Sequence, residues 1–264
     1  MHIDTLFEQV VNDPSTIIVP NNWTQGRTVF GGLSASLLLK AMFQKIKDET
    51  RQLRTINIHF TAPLLAEQSF SIVDTLLAQG KNTTSMRCEI IQGDRVCVSC
   101  IATFGKTKAS KLTMKSELDL KKAPPEKGKF IPQIPMVTPK FLRHVDLAID
   151  EGGLPFLGGS QSHYKGWMRF KQKPEQITTC HVLALIDAWP PAVLQMFKGP
   201  IPASTMTWNI EFTHSDLTDL PLDWLNYQVE TLQADEGYAH TEAKICATNG
   251  ELIALSRQCV AIFG

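Results

Sequence analysis

The chain has 264 residues, enough for a sizeable core and for either two modest domains or one large one. Its 26 lysines and arginines balance 26 aspartates and glutamates, so no net charge draws it to nucleic acid or to an anionic membrane. The opening MHIDTLFEQV lacks a basic stretch followed by a long apolar one, and no later run reaches the roughly 18 apolar residues of a membrane span. A soluble, cytoplasmic protein is the simplest expectation.

Residues 4–11 suit a short amphipathic helix, and residues 15–19, β-branched and closed by Pro20, suit a short first strand. After a loop at 23–28, Phe30, Gly31 and Gly32 open a helix in which Leu33, Leu37, Leu38, Met42 and Ile46 recur at helical spacing. The apolar period then changes to two. Strands are predicted at 53–60 and 70–77, followed by a hairpin of 83–91 and 95–104 that turns at Gln92, Gly93 and Asp94. One long helix followed by antiparallel strands implies an α+β fold in which a sheet wraps a central helix.

Residues 106–140 are rich in lysine and proline and can bury little, which predicts a partly mobile crossover on the surface. A basic strap for nucleic acid is the alternative, but Phe130 is its only aromatic residue. The β pattern resumes at 141–149, a Gly-rich loop follows at 151–160, and a strand is predicted at 162–171. An apolar helix is predicted over 181–197, with strands at 205–213, 224–232, 238–247 and 252–263.

The two halves repeat in residues as well as in pattern. NIHFT at 57–61 matches NIEFT at 209–213, VDTL at 73–76 matches VETL at 229–232, and ATFG at 102–105 matches AIFG at 261–264. The chain therefore divides into an N-terminal unit (1–105), a crossover (106–140) and a C-terminal unit (141–264). The two sheets are expected to pair into one, because a lone unit would leave an open edge.

The six cysteines are scattered and read as reduced, mostly buried thiols, and Cys97 and Cys100 lie in a strand that turns them to opposite faces. Gly32-Leu-Ser34-Ala-Ser36 approaches a nucleophile elbow but lacks the last glycine, and its small residues are better suited to close helix packing. Asp235 and His240 belong to a strand-to-strand turn, and His59 and His144 read as structural or groove histidines within strands. The histidine spacing offers no metal site, and no nucleotide-binding loop is present, so neither a metal nor a cofactor is expected.

Asp187 is the only ionisable side chain between His181 and Lys198. It is placed at the start of the second helix, before Trp189, Pro190 and Pro191, because prolines are tolerated in a helix's first turn. It is read as a helix cap, a working acid, or both. In the strand that follows, Met206, Trp208, Ile210 and Phe212 form an apolar face, and Thr205, Thr207, Asn209 and Glu211 a polar one. In the last strand Gln258 sits among Leu252, Ile253, Leu255, Cys259, Val260 and Ile262.

The repeat, the Val29-Phe30-Gly31-Gly32 entrance to the first helix, the acid on the second and the terminal Ala-Ile-Phe-Gly together resemble acyl-CoA thioesterases of the TesB-like, double-hotdog type. The resemblance spans roughly residues 15–264 and is weakest in the crossover. Leu33-Ser34 stands where many members continue the two glycines with Gln-Val, and Trp189-Pro190-Pro191 is closer to a divergent branch of the family. The resemblance implies a hydrolytic water held by Asp187, Thr205 and Gln258, with Thr207 as the fallback for Thr205. It also implies one site per chain, built mainly from the second repeat, and a homo-oligomer that is a dimer or larger.

The residue types suit that chemistry, since a carboxylate that deprotonates water, helped by a hydroxyl and an amide, can hydrolyse an activated thioester without a covalent nucleophile. Oxyanion donors are expected at a helix N-terminus, from Gly31, Gly32 or the residues after Asp187. The alternative is a non-catalytic acyl-CoA or lipid-binding hotdog protein. A hotdog dehydratase would need a histidine acid/base pair that the sequence does not offer.

Overall fold

The computed structural model describes the whole chain except residues 117, 119, 121, 127–129, 135–137 and 215. The first helix, α1 (Ile3–Asn12), buries Ile3, Leu6, Phe7 and Val10 along one stripe, as its amphipathic spacing requires. Residues 15–19 form no strand, and their sheet pairing is reduced to a single bridge from Ile17 to Phe70. A two-residue hairpin, β1 (Thr24–Gln25) and β2 (Thr28–Val29), leads into α2 (Gly31–Lys45). Every residue from Gly32 to Leu39 is buried, so the first half of α2 is enclosed on all sides rather than along a single apolar face, and its last turn reaches solvent.

Four strands follow in the first half: β3 (Arg51–Phe60), β4 (Ser71–Gln79), β5 (Thr83–Gln92) and β6 (Arg95–Lys106). The second half opens with a 3-10 turn at Lys140–Arg143, and its first strand, β7 (Val145–Glu151), starts later than the alternation suggested. His144 therefore caps that turn instead of lying in a strand. It stacks on Trp23 at 3.9 Å, and burial pushes its imidazole down to about 4. Then come β8 (His163–Phe170), α3 (Thr179–Ile186), β9 (Ala203–Phe212), β10 (Leu225–Asp235), β11 (Tyr238–Cys246) and β12 (Leu252–Ile262).

Ten strands form one antiparallel sheet in the order β4-β5-β6-β3-β9-β12-β11-β10-β8-β7. The four strands of the first half are mirrored by β9, β12, β11 and β10, with β8 and β7 added at the far edge, and the halves join where β3 pairs with β9. At that seam Asn57 faces Asn209, and the Asn209 amide donates to the Asn57 side chain at 2.8 Å. These asparagines begin the repeated NIHFT and NIEFT blocks, so the sequence repeat is a repeat in space. The sheet packs on α2 and α3 in a double hotdog with one main apolar core.

The expectation of a mobile surface crossover falls partly outside the described residues, but described parts of it are docked. Leu118 pairs through its backbone with Gly250, and the Lys115 ammonium lies 3.4 Å from the Glu251 carboxylate. Phe130 bridges to Ala148 on β7. All six cysteines are free, and Cys97 and Cys100 are both buried.

Candidate functional site

The helix expected over 181–197 is broken. Helix α3 stops at Ile186, Asp187 is its C-cap in the right-handed helical conformation, and a separate 3-10 turn spans Ala192–Met196. The prolines at 190 and 191 end the helix, because proline clashes with the preceding turn and drives its neighbour toward extended backbone. Asp187 therefore sits at the end of a helix and is not an N-cap. An acid there meets the negative end of the helix dipole, which is unfavourable without compensation.

Compensation comes from the other repeat. The N-terminus of α2 packs against the end of α3, and the Gly32 N–H donates to the Asp187 carboxylate. The glycines permit this approach: a Cβ on Gly32 would lie 2.6 Å from the Ala184 carbonyl oxygen and 2.9 Å from the Asp187 Cβ. On Gly31 it would lie 2.8 Å from Asp187 Oδ2. The Gln258 side-chain amide on β12 donates to Asp187 Oδ1 at 2.8 Å.

Burial is nevertheless the stronger influence and raises the Asp187 carboxyl to about 7, although the Gln258 and Gly32 hydrogen bonds pull it down. The residue is only half-buried, because one side of it borders a cavity of about 370 Å³. Nearby, Tyr227 stacks on Trp189 with ring centroids 5.2 Å apart. Its hydroxyl is held protonated, first by burial and then by the negative charge of Asp187.

Thr205 lines the same cavity as Asp187 and Gln258, for a reason that simple alternation hides. Val260 pairs with Thr205 whereas the adjacent Cys259 pairs with Thr207, so Met206 is the extra residue of a β-bulge. The bulge turns Thr205 onto the inner face with Trp208 and Ile210 and leaves Met206 exposed. Thr207 stays on the outer face, where it borders a separate groove with Asn57, His59 and Arg257, so it cannot substitute for Thr205 in the cavity.

Of the sequence-derived candidates, the fold thus gathers Asp187, Thr205, Gln258 and Gly31 around one cavity, with Gly32 just behind the carboxylate. Ser34, Phe60, Val98 and Trp189, none of them assigned to the site from the sequence, are among the other residues that line it. Three of these four belong to the first repeat, so the site lies between the repeats instead of mainly within the second. Trp189 had a local signal in its place two residues after the acid. Ser34 had a signal of its own in the imperfect nucleophile elbow at 32–36, whereas Phe60 and Val98 had none, because sheet register brings them in from two separate strands.

Among the described residues no histidine lines the cavity, and no group of three or more His, Cys, Asp or Glu side chains gathers to hold a metal ion. No helix among them is long and apolar enough to cross a membrane. The arrangement offers a half-buried carboxyl that titrates near neutrality, bonded by an amide and a helix N-terminus, with Thr205 lining the same cavity. Such groups can bind a water molecule, take a proton from it and stabilise an oxyanion.

The model of the acyl-CoA thioesterase N-terminal domain matches residues 19–105, and that of the acyl-CoA thioesterase C-terminal domain matches residues 117–262. Among solved structures, a conserved hot dog fold protein of unknown function from Alicyclobacillus acidocaldarius superposes with a TM-score of 0.83 at 20% identity, covering 94% of this chain and 92% of its own. A tesB protein from Mycobacterium avium subs paratuberculosis superposes at 0.74 with 15% identity, covering 98% and 100%. A polyketide synthase dehydratase domain from Brevibacillus brevis superposes at 0.61 with 13% identity, covering 93% and 88%, so this fold by itself does not select a reaction. No curated protein matches the sequence.

Proposed function

The chain belongs to the acyl-CoA thioesterase family, a family of thioester hydrolases, and on that premise we propose that it hydrolyses acyl-CoA with a water molecule activated by Asp187 and held by Thr205 and Gln258. The ionised carboxylate takes a proton from the water as the oxygen attacks the thioester carbonyl carbon. The carbonyl oxygen becomes an oxyanion. The Gly31 N–H would receive that charge, a role supported by its position in the first turn of α2 at the cavity's edge. The tetrahedral intermediate then collapses with loss of the coenzyme A thiolate, to which Asp187 returns the proton.

The observation that carries this reading is the 2.8 Å bond from Gln258 to Asp187 in a cavity that Thr205 also lines. A carboxyl held at about 7 is half-ionised near neutral pH and still basic enough to accept a proton, which suits a general base better than an ordinary aspartate would. The absence of histidine from the described lining favours hydrolysis over the dehydratase chemistry found on the same fold.

The test is release of coenzyme A from a panel of acyl-CoA esters by the wild type and by Asp187→Asn. Release that collapses in the variant while the ester still binds supports the reading. Undiminished release removes Asp187 as the base, and binding without release in the wild type marks a non-catalytic acyl-CoA protein.

A further inference from the structure

The cavity that holds Asp187 is bordered by Phe60 and Val98. Its volume of about 370 Å³ is near the bottom of the roughly 300–1,000 Å³ range of small-molecule sites, and the thioester and its water must share that space with the acyl group. Phe60 and Val98 are register partners on β3 and β6 and stand side by side on the inner face of the sheet. A Cβ on Gly31 would lie 3.2 Å from the Phe60 ring and 2.8 Å from Asp187 Oδ2, so ring and carboxylate border the same narrow space.

Behind this wall the core is filled. Ile58, Leu33, Leu37 and Trp208 are at most 1% exposed, leaving no channel between α2 and the sheet for a longer chain. On the far side Trp189 is fixed by its stack on Tyr227 and by close seating over Gly166, where a Cβ would approach the indole to 2.6 Å.

We infer that the site is built for short acyl groups, from acetyl to about hexanoyl, with Phe60 as the residue that limits chain length. This inference rests on the proposed thioesterase reading and adds the substrate class. A longer chain must displace Phe60 or bend back toward solvent, and either route loses the burial that each further methylene would otherwise gain.

The experiment measures kcat/KM for acetyl-, butanoyl-, hexanoyl-, decanoyl- and palmitoyl-CoA with the full chain, beside their binding followed by tryptophan fluorescence. The wild type is expected to fall at least about ten-fold between hexanoyl and decanoyl. Phe60→Ala is expected to move the optimum to longer chains, and Phe60→Leu part of the way, which covers the case in which the alanine variant fails to fold. A wild type that prefers decanoyl or palmitoyl, a flat profile, or a folded Phe60 variant with the wild-type profile overturns the inference. If no ester is turned over, the thioesterase reading fails separately, and the binding series still decides the chain length.

Discussion

Helices α2 and α3 are the two copies of one repeated element, and they differ where it matters. The first runs 15 residues and carries no acid, and its glycine-rich N-terminus is buried against its partner. The second is cut to 8 residues, and the residue that ends it is Asp187. One copy supplies the positive end of a helix and the other a carboxylate at the negative end of its own. The two unequal copies thus form one composite site, each correcting the electrostatics of the other.

Removing the acid breaks the asymmetry most severely. Asp187→Asn is expected to lower kcat by about a thousand-fold while keeping the Gln258 contact available to the new amide. The same change is expected to stabilise the fold at alkaline pH. The folded carboxyl is raised to about 7 from an ordinary 3.8, so in the wild type stability is lost as pH rises between those values, and the asparagine escapes that loss. Denaturant melts at about pH 8 should favour the variant by at least about 1 kcal/mol, and a less stable variant would contradict the burial argument.

Disturbing the other helix acts through packing. Gly32→Ala places a methyl against the Ala184 carbonyl and the Asp187 side chain. It is expected to cost about 1–3 kcal/mol in an unfolding titration and to lower turnover with it, because the amide that faces the carboxylate is pushed back. Unchanged stability would mean that the helices are less tightly joined than their contact implies.

The bulge in β9 supplies a finer contrast. Thr205→Val is expected to lower kcat about ten-fold by removing one hydrogen bond to the water, whereas Thr207→Val, on the outer face, leaves kcat unchanged. Equal effects would place the bulge elsewhere. Gln258→Leu removes a hydrogen bond that favours the ionised acid, so the alkaline-rising limb of the rate profile should move to higher pH.

The fold was open to reading from the sequence because its repeat is written in matched blocks whose asparagines meet across the seam at 57 and 209. Asp187 stood out as an acid on an apolar background, Gln258 was pointed to by the family resemblance, and both reach the cavity. Other features follow from rules that compete locally. Pro190 and Pro191 could open a helix or end one, and only the packing of α3 under the sheet decides for the ending. A bulge leaves no mark in an alternating pattern, so Thr205 and Thr207 exchange apparent roles unless the register is known. The first-repeat wall of Phe60, Val98 and Ser34 depends on which strands and helices become neighbours, and that information is not local to any of them.

The central claim, that Asp187 works as a base with its carboxyl raised by burial, is tested most directly by the pH dependence of kcat/KM for wild-type enzyme between about pH 5 and 9. The rate should climb with pH as one group loses its proton, with a midpoint at about 7, and then level off. A profile that is flat across the range, or that falls as pH rises through neutrality, would contradict it.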